Sequence, residues 1–276
     1  MHRQRLLPAM KQLTALAVAA GMTFSCLSLT ACGGSNSSDD EMLMRTKDAV
    51  DAELEALLAG TQGDADLAAE LPLAGPEMDE VLGRLAAQSD VIDVLTFDGE
   101  GVVQAVKPDR YRNLIATSII SQEQTDLLRD RYEPLLSNVF TAVEGKQAIT
   151  LQYPIHQAGA YAGTLSLLIN HQALFDRASQ STLAGSKYKM TLQQLDGVVL
   201  WDSDPSQIGR NVLSDPEFEN YPDLQRLVRE VIASEEGSGH YLFRSSDSAE
   251  AVRKDCTWTT VRHAGAEWRL ALFWQE

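Results

Sequence analysis

The chain has 276 residues, with 23 Lys and Arg against 39 Asp and Glu, a formal net charge of −16. Such a charge repels nucleic acid and anionic lipid headgroups, which excludes a role built on either. Hydrophobic residues make up 44% of the chain, enough for a globular core.

Arg3, Arg5 and Lys11 form a basic start, and Leu13 to Leu29 is apolar and small. This is the layout of a secretory signal. Thr14, Thr23, Ser25 and Ser28 interrupt the run, which falls short of the ~20 mostly apolar residues of a spanning helix. Leu29-Thr30-Ala31-Cys32 closes it and resembles a bacterial lipobox. The resemblance implies a signal peptide over residues 1–31, cleavage before Cys32, and acyl chains on that cysteine. The alternatives are an ordinary signal cut elsewhere or an uncleaved anchor. Residues 32–39, containing Gly33-Gly34-Ser35-Asn36-Ser37-Ser38, read as a flexible tether. Stable anchoring takes more than one acyl chain, and bacterial lipoproteins carry several. Gly33 stands where the lipoprotein sorting rule would place an aspartate for retention at an inner membrane, which implies the periplasmic side of an outer membrane. Of the three cysteines, Cys26 would be removed and Cys32 lipidated. Cys256 is then alone, with no intrachain disulfide to form, and reads as a small buried apolar residue.

Residues 40–90 read as N-terminal helices. From Asp40 to Leu58, Leu43, Val50 and Leu57 fall seven apart, with Leu54 and Leu58 in the same stripe. Ser38 and Asp39 are candidate N-caps and Gly60 a candidate stop. The stripe suits either the chain's own sheets or a homodimer seam. A second helix is expected from Pro76 to Gln88, with Met78, Val81, Leu82 and Leu85 on one face.

A weak internal repeat follows. Val91–Phe97, Asp98-Gly99-Glu100-Gly101 and Val102–Val106 read as a hairpin, and so do Tyr188–Leu195, Asp196-Gly197 and Val198–Trp201. Each is followed by a loop with Pro and Asp and by a helical segment, near Gln122–Tyr132 and Leu224–Ile232. Strands then follow at Ile149–Ile155 and Gly163–Ile169, and at Gly239–Phe243, Trp258–Val261 and Glu267–Phe273. The fold class is therefore α+β: a long N-terminal helix, then two tandem PAS-like modules over 91–180 and 181–276. Each module is an antiparallel sheet with flanking helices.

The order of these phrases resembles the double Cache sensor domain. The matching stretches are Val94–Gly99, Tyr153-Pro154-Ile155 with Gly159 and Gly163, Leu200–Pro205 with Ile208–Val212, and Gly265–Leu270. The resemblance runs from about Asp40 to Phe273. It implies an extracytoplasmic sensor binding a small molecule in the first, membrane-distal module. Members usually continue into a transmembrane helix and an output domain. This sequence ends at Glu276, so sensing is expected to act through a partner, a membrane sensor or a transporter. The amino-acid-binding subset carries an Arg-x-Trp-Tyr run and a later Asp. Here Asp130-Arg131-Tyr132-Glu133-Pro134 lacks the Trp, and Thr141 stands where the Asp would. Loss of that carboxylate disfavours an α-amino acid.

The densest cationic and aromatic group is Arg110, Tyr111, Arg112, Arg129, Arg131 and Tyr132. Guanidinium forks match carboxylates and tyrosines can wall a pocket, which suits a small organic anion. The candidate ligand residues are Arg110, Tyr111, Arg112, Arg131, Tyr132, Thr141, Tyr153 and Tyr161, with His156 nearby. The alternative is that these arginines form surface pairs with Asp109, Asp126, Asp130 and Glu133. Asp202-Ser203-Asp204 reads as a turn rather than a calcium loop. His156, His171, His240 and His263 lack metal spacing. Trp201, Trp258, Trp268 and Trp274 read as core. No Gly-x-Ser-x-Gly, His-Glu-x-x-His or phosphate-cradling loop occurs, so no catalytic residue, metal or cofactor is expected. The leading function is a lipid-anchored sensory or solute-binding module, and the alternative a structural or adhesion lipoprotein.

Overall fold

The computed structural model describes residues 37–119, 128–142, 146–243 and 251–275. The signal segment, the lipobox with Cys32, and most of the tether lie outside the described residues, as does most of the helix expected near Gln122. Helix α1 (Ser37–Ala69) and helix α2 (Pro76–Ala86) come first. A hairpin, β1 (Val91–Asp98) and β2 (Val103–Lys107), is followed by a 3-10 turn at Asp109–Leu114. Short strands β3 (Leu135–Leu136) and β4 (Phe140–Thr141) lead into the long pair β5 (Gln147–Gln157) and β6 (Ala160–Ile169). Helix α3 (His171–Leu183) joins this sheet to β7 (Lys189–Gln194) and β8 (Val199–Asp202). Helix α4 (Pro222–Ala233) and strands β9 (Gly237–Phe243), β10 (Val252–His263) and β11 (Ala266–Trp274) complete the chain.

The sheets run β2-β1-β6-β5-β3, with β4 also on β5, and β8-β7-β11-β10-β9. Both follow one order. The hairpin's second strand lies at the edge, its first strand next, and the module's last strand in the middle. That shared order is the structural form of the sequence repeat, and it confirms the expected α+β architecture with its long leading helix.

One face of each sheet packs on α1. Leu43, Val50, Leu54, Leu57, Ala65 and Ala68 are buried along the helix. They share one core with Ile149 and Leu165 of the first sheet and Leu192 and Leu270 of the second. The stripe weighed as a homodimer seam is thus occupied by the chain's own sheets. Polar pegs fix the helix along its length. Tyr188 donates to Asp39, the Thr61 and Tyr153 hydroxyls lie 2.6 Å apart, and His263 Nε2 lies 3.0 Å from Asp51 Oδ1.

Two expectations are corrected. Gly60 does not stop the helix. The buried stripe continues through Thr61, Ala65 and Ala68, and Gln88 Nε2 donates to the Gly60 carbonyl at 2.9 Å. Tertiary packing outweighs glycine's weak helix propensity. Ser38 and Asp39 lie within the first turn of α1 rather than before it. Helix α3, unanticipated, spans the boundary expected at 180/181. Asn170 caps it, accepting from the Ala173 amide at 3.4 Å.

At the start of α3, His171 is fully buried, and neither ring nitrogen meets hydrogen-bond geometry with a partner among the described residues. Burial pushes its pKa down to about 4, and the Leu200 backbone offsets this in part. Phe175 lies edge-on to it at 6.4 Å and to Trp268 at 6.1 Å, so the ring sits in the aromatic seam between the sheets. Arg269, also buried, donates from Nε to the Val231 and Ser234 carbonyls at 3.1 and 2.8 Å. Those carbonyls close the C-terminal turn of α4, where a cation is favoured.

Leu54→Ala is expected to destabilise the protein by about 2–5 kcal/mol in urea titrations, because the stripe cannot collapse around the lost side chain. His171 gives a pH signature. The unfolded ring binds a proton below 6.5, whereas the folded ring resists until about 4. The unfolded state thus holds more protons in that window, and stability falls as pH drops through it, by up to about 3 kcal/mol. Stability of His171→Leu should fall less steeply between pH 7 and pH 5 than that of the wild type.

Candidate functional site

Strand alternation divides the first sheet into two surfaces. Val94, Leu151, Leu165 and Leu167 face the helices. Asp93, Leu95, Thr150, Gln152, Ser166 and Leu168 share the other face and line a cavity of about 400 Å³. Pairing register arranges this floor in two rows. Leu168 of β6 stands between Asp93 and Thr150, and Ser166 stands between Leu95 and Gln152. Leu114, Ile119 and the segment from Ser137 to Phe140 form the remaining wall.

The floor is polar although it is covered. Asp93 is 4% exposed and Ser166 nearly as buried. Among the described residues of the wall, Asp93 carries the sole formal charge. A cavity of this size with an apolar lining and a few convergent polar groups suits a small molecule.

The second module braces the wall of this cavity. The Leu136 amide donates to the Ala264 carbonyl at 2.8 Å, and the Val139 amide donates to the Gln194 side-chain oxygen. Ser137 exchanges bonds with Thr150: its amide donates to the Thr150 carbonyl and its hydroxyl accepts from the Thr150 amide, both at 2.9 Å. The segment that lines the cavity is thus held by both sheets.

None of the eight expected ligand residues is among the described residues that line this cavity. Arg110 is exposed, donates to the Ile92 carbonyl at 3.3 Å, and stacks 4.7 Å over the Tyr111 ring. Arg112 pairs with Asp109 at 3.2 Å. Arg131 lies against Gly265, where a Cβ would meet its Nη1 at 2.9 Å. Tyr132 is 72% exposed and stacks on His156 at 4.1 Å. Thr141 is exposed and accepts from Gln147 Nε2 at 3.1 Å. Tyr153 is on the helix face, and burial raises its pKa. Tyr111 and Tyr161 pack with Leu95 and Phe97 on the same face of the sheet as the cavity but do not line it, and Tyr161's hydroxyl lies 2.8 Å from that of Thr164.

Asp93, Thr150, Gln152 and Ser166 were not singled out from sequence. A signal existed: Asp93 is a lone acid inside the apolar run Val91-Ile92-Asp93-Val94-Leu95. Among the described residues no group of three or more His, Cys, Asp or Glu is placed to hold a metal. Asp202 and Asp204 instead accept turn amides, from Asp204 at 2.8 Å and Ser206 at 3.0 Å. Trp201, Trp258, Trp268 and Trp274 are buried. Cys256 is buried and free, and burial pushes its thiol up to about 12.

Two sheets of this order on one long helix, with a cavity on the first, form a fold shared with solved extracellular domains of chemoreceptors and of a putative histidine kinase. Residues 52–171 match the family described as HK/GC/Chemotaxis protein-like, sensor domain. Among solved structures, an extracellular ligand binding receptor from Desulfohalobium retbaense aligns over 87% of this chain with 22% identity and a TM-score of 0.69. The alignment covers 41% of that receptor, so this chain spans about two fifths of its length. The ligand-binding domain of the Pseudomonas aeruginosa amino acid chemoreceptor PctB, in complex with L-Gln, aligns over 88% of this chain and 91% of its own. Its identity is 14% and its TM-score 0.63. The ligand-binding domain of the Pseudomonas fluorescens chemoreceptor CtaA, in complex with L-isoleucine, gives 15%, 0.63 and coverages of 86% and 90%. A search of curated proteins found no match.

The brace is open to a direct check. Gln194→Ala leaves the Val139 amide without its acceptor, a loss of about 1–3 kcal/mol for a buried donor. Hydrogen exchange at Val139 should quicken by about tenfold or more, with little change at the β10–β11 amides.

Proposed function

We propose that this protein is a lipid-anchored extracytoplasmic sensory module that binds a small amine-bearing molecule in its first module. Asp93 carries the reading. A buried carboxylate on an otherwise uncharged floor offers acceptor oxygens to an ammonium group. Thr150, Gln152 and Ser166 supply further hydrogen bonds, and Leu95 and Leu168 receive an apolar portion. Similar domains have been captured with GABA, L-Gln and L-isoleucine, each of which bears an amine. The anion suggested by the arginines meets no cation in the described wall.

Occupancy would reach the second module through the Val139–Gln194 and Leu136–Ala264 bonds. A partner, a membrane sensor or a transporter, then reads the state by binding the two conformations differently. Cys32 supplies the anchor in this reading, and the lipobox sequence supports it. Among the described residues no helix is long and apolar enough to cross a membrane.

Calorimetry against a panel of amines, amino acids and carboxylates tests the ligand. An amine-bearing compound should bind, and Asp93→Asn should weaken it about tenfold or more. Carboxylate-only binding, or equal affinity in the variant, would sink the proposal. For the anchor, Cys32→Ser should shift the protein from the membrane fraction to the soluble fraction. An unchanged distribution would refute lipidation.

A further inference from the structure

The second module holds a cavity of its own, of about 300 Å³, between the outer face of its sheet and helix α4. Its walls are mainly apolar, with Val199, Phe218, Leu227, Val228, Val231 and Phe273 among them. At the polar end stand Gln193 and Thr191 of β7, Tyr241 of β9, Lys254 of β10, and Lys189. Gln193 is the informative group. It is 4% exposed, and its side-chain Nε2 has no hydrogen-bond partner among the described residues. An unmatched buried amide is costly, by roughly 1–3 kcal/mol, and this one lines the cavity.

The repeat shows what distinguishes the two cavities. Counting back from the Asp98-Gly99 and Asp196-Gly197 turns, Asp93 and Leu95 of the first floor correspond to Thr191 and Gln193 of the second. The acid of one is replaced by a hydroxyl, and the leucine by an amide donor. Burial raises the Tyr241 pKa, so its hydroxyl stays a proton donor. Lys254 lies 5.1 Å over the Phe273 ring. Asp202 and Asp204 share this wall; each accepts a backbone amide of the turn, from Asp204 and Ser206, and Asp202 also attracts Lys254. The end thus carries two lysines and an amide donor that balance its acids, where the described wall of the first cavity carries an acid and no lysine or arginine.

We infer that the second cavity is a separate ligand site for a small monocarboxylate with a compact apolar body. Its carboxylate would accept from the Gln193 amide and Lys254, and its body would fill the space beneath α4. The site is independent of the amine site proposed for the first module.

The test titrates the full-length anchored protein in detergent with isovalerate and phenylacetate, and with isoamylamine as the cationic counterpart. At least one carboxylate should bind more tightly than the amine. Gln193→Met and Lys254→Met should each weaken it about tenfold or more, and Asp93→Asn should leave it unchanged. Gln193→Met removes an unsatisfied amide at similar volume, so its melting temperature should match or exceed the wild type. Loss of binding in that variant is then not loss of fold. A crystal grown with the bound carboxylate should place its oxygens within hydrogen-bond distance of Gln193 Nε2. Binding of neither carboxylate, preference for the amine, affinities untouched by both variants, or water alone at Gln193 would each overturn the proposal.

Discussion

One buried stripe on α1 holds the two sheets as a single body. Leu43, Val50 and Leu54 belong to the same continuous core as residues of both sheets. At 33 residues the helix is about 50 Å long, which lets it serve two modules in succession. Burial of that stripe is the main driving force. The pegs at Asp39, Asp51 and Thr61 set where along the helix each element sits. Because the inner face of each sheet is committed to α1, each outer face is left to be covered by a loop or by α4, and both cavities form there.

That division explains how one architecture carries two chemistries. Inner-face residues are constrained to be apolar and close-packed. Outer-face residues on the same strands are free to vary under their covers. In the first module the variation gives Asp93, Thr150, Gln152 and Ser166; in the second it gives Thr191, Gln193, Tyr241 and Lys254. The adjacent residues Gln193 and Gln194 point to opposite sides of β7. One lines the second cavity, and the other holds the wall of the first. A single strand thus touches both sites.

The hairpins were legible because Asp98-Gly99 and Asp196-Gly197 force turns between β-branched runs, a local requirement. Helix α4 was legible from its spacing of Leu227, Val228 and Val231. Helix α3 was missed because its buried positions, His171, Leu174, Phe175 and Ala178, include a histidine and an alanine and make a weak stripe. The candidate site was legible only as to module. Arginines and tyrosines cluster in sequence near residues 110 and 131, but clustering does not show which side of a sheet a residue faces or what covers it. Tyr153 looked suited to a ligand, yet its position on β5 directs it to Thr61.

Sequence alone determined the elements whose causes are local: alternation, the Asp-Gly turns, the helical stripes, and the order that makes one module repeat the other. Residues 29–32 likewise carry their own expectation of an anchor. Tertiary structure decided what depends on distant partners. It carried α1 past Gly60, because the sheets reward burial there. It set Asp93 under a cover to which Leu114, Ile119 and the segment from Ser137 to Phe140 contribute, and it left Gln193 facing a cavity closed by α4. A polar side chain on a strand reads the same in sequence whether its face meets water or a lid, and the lid is a long-range contact.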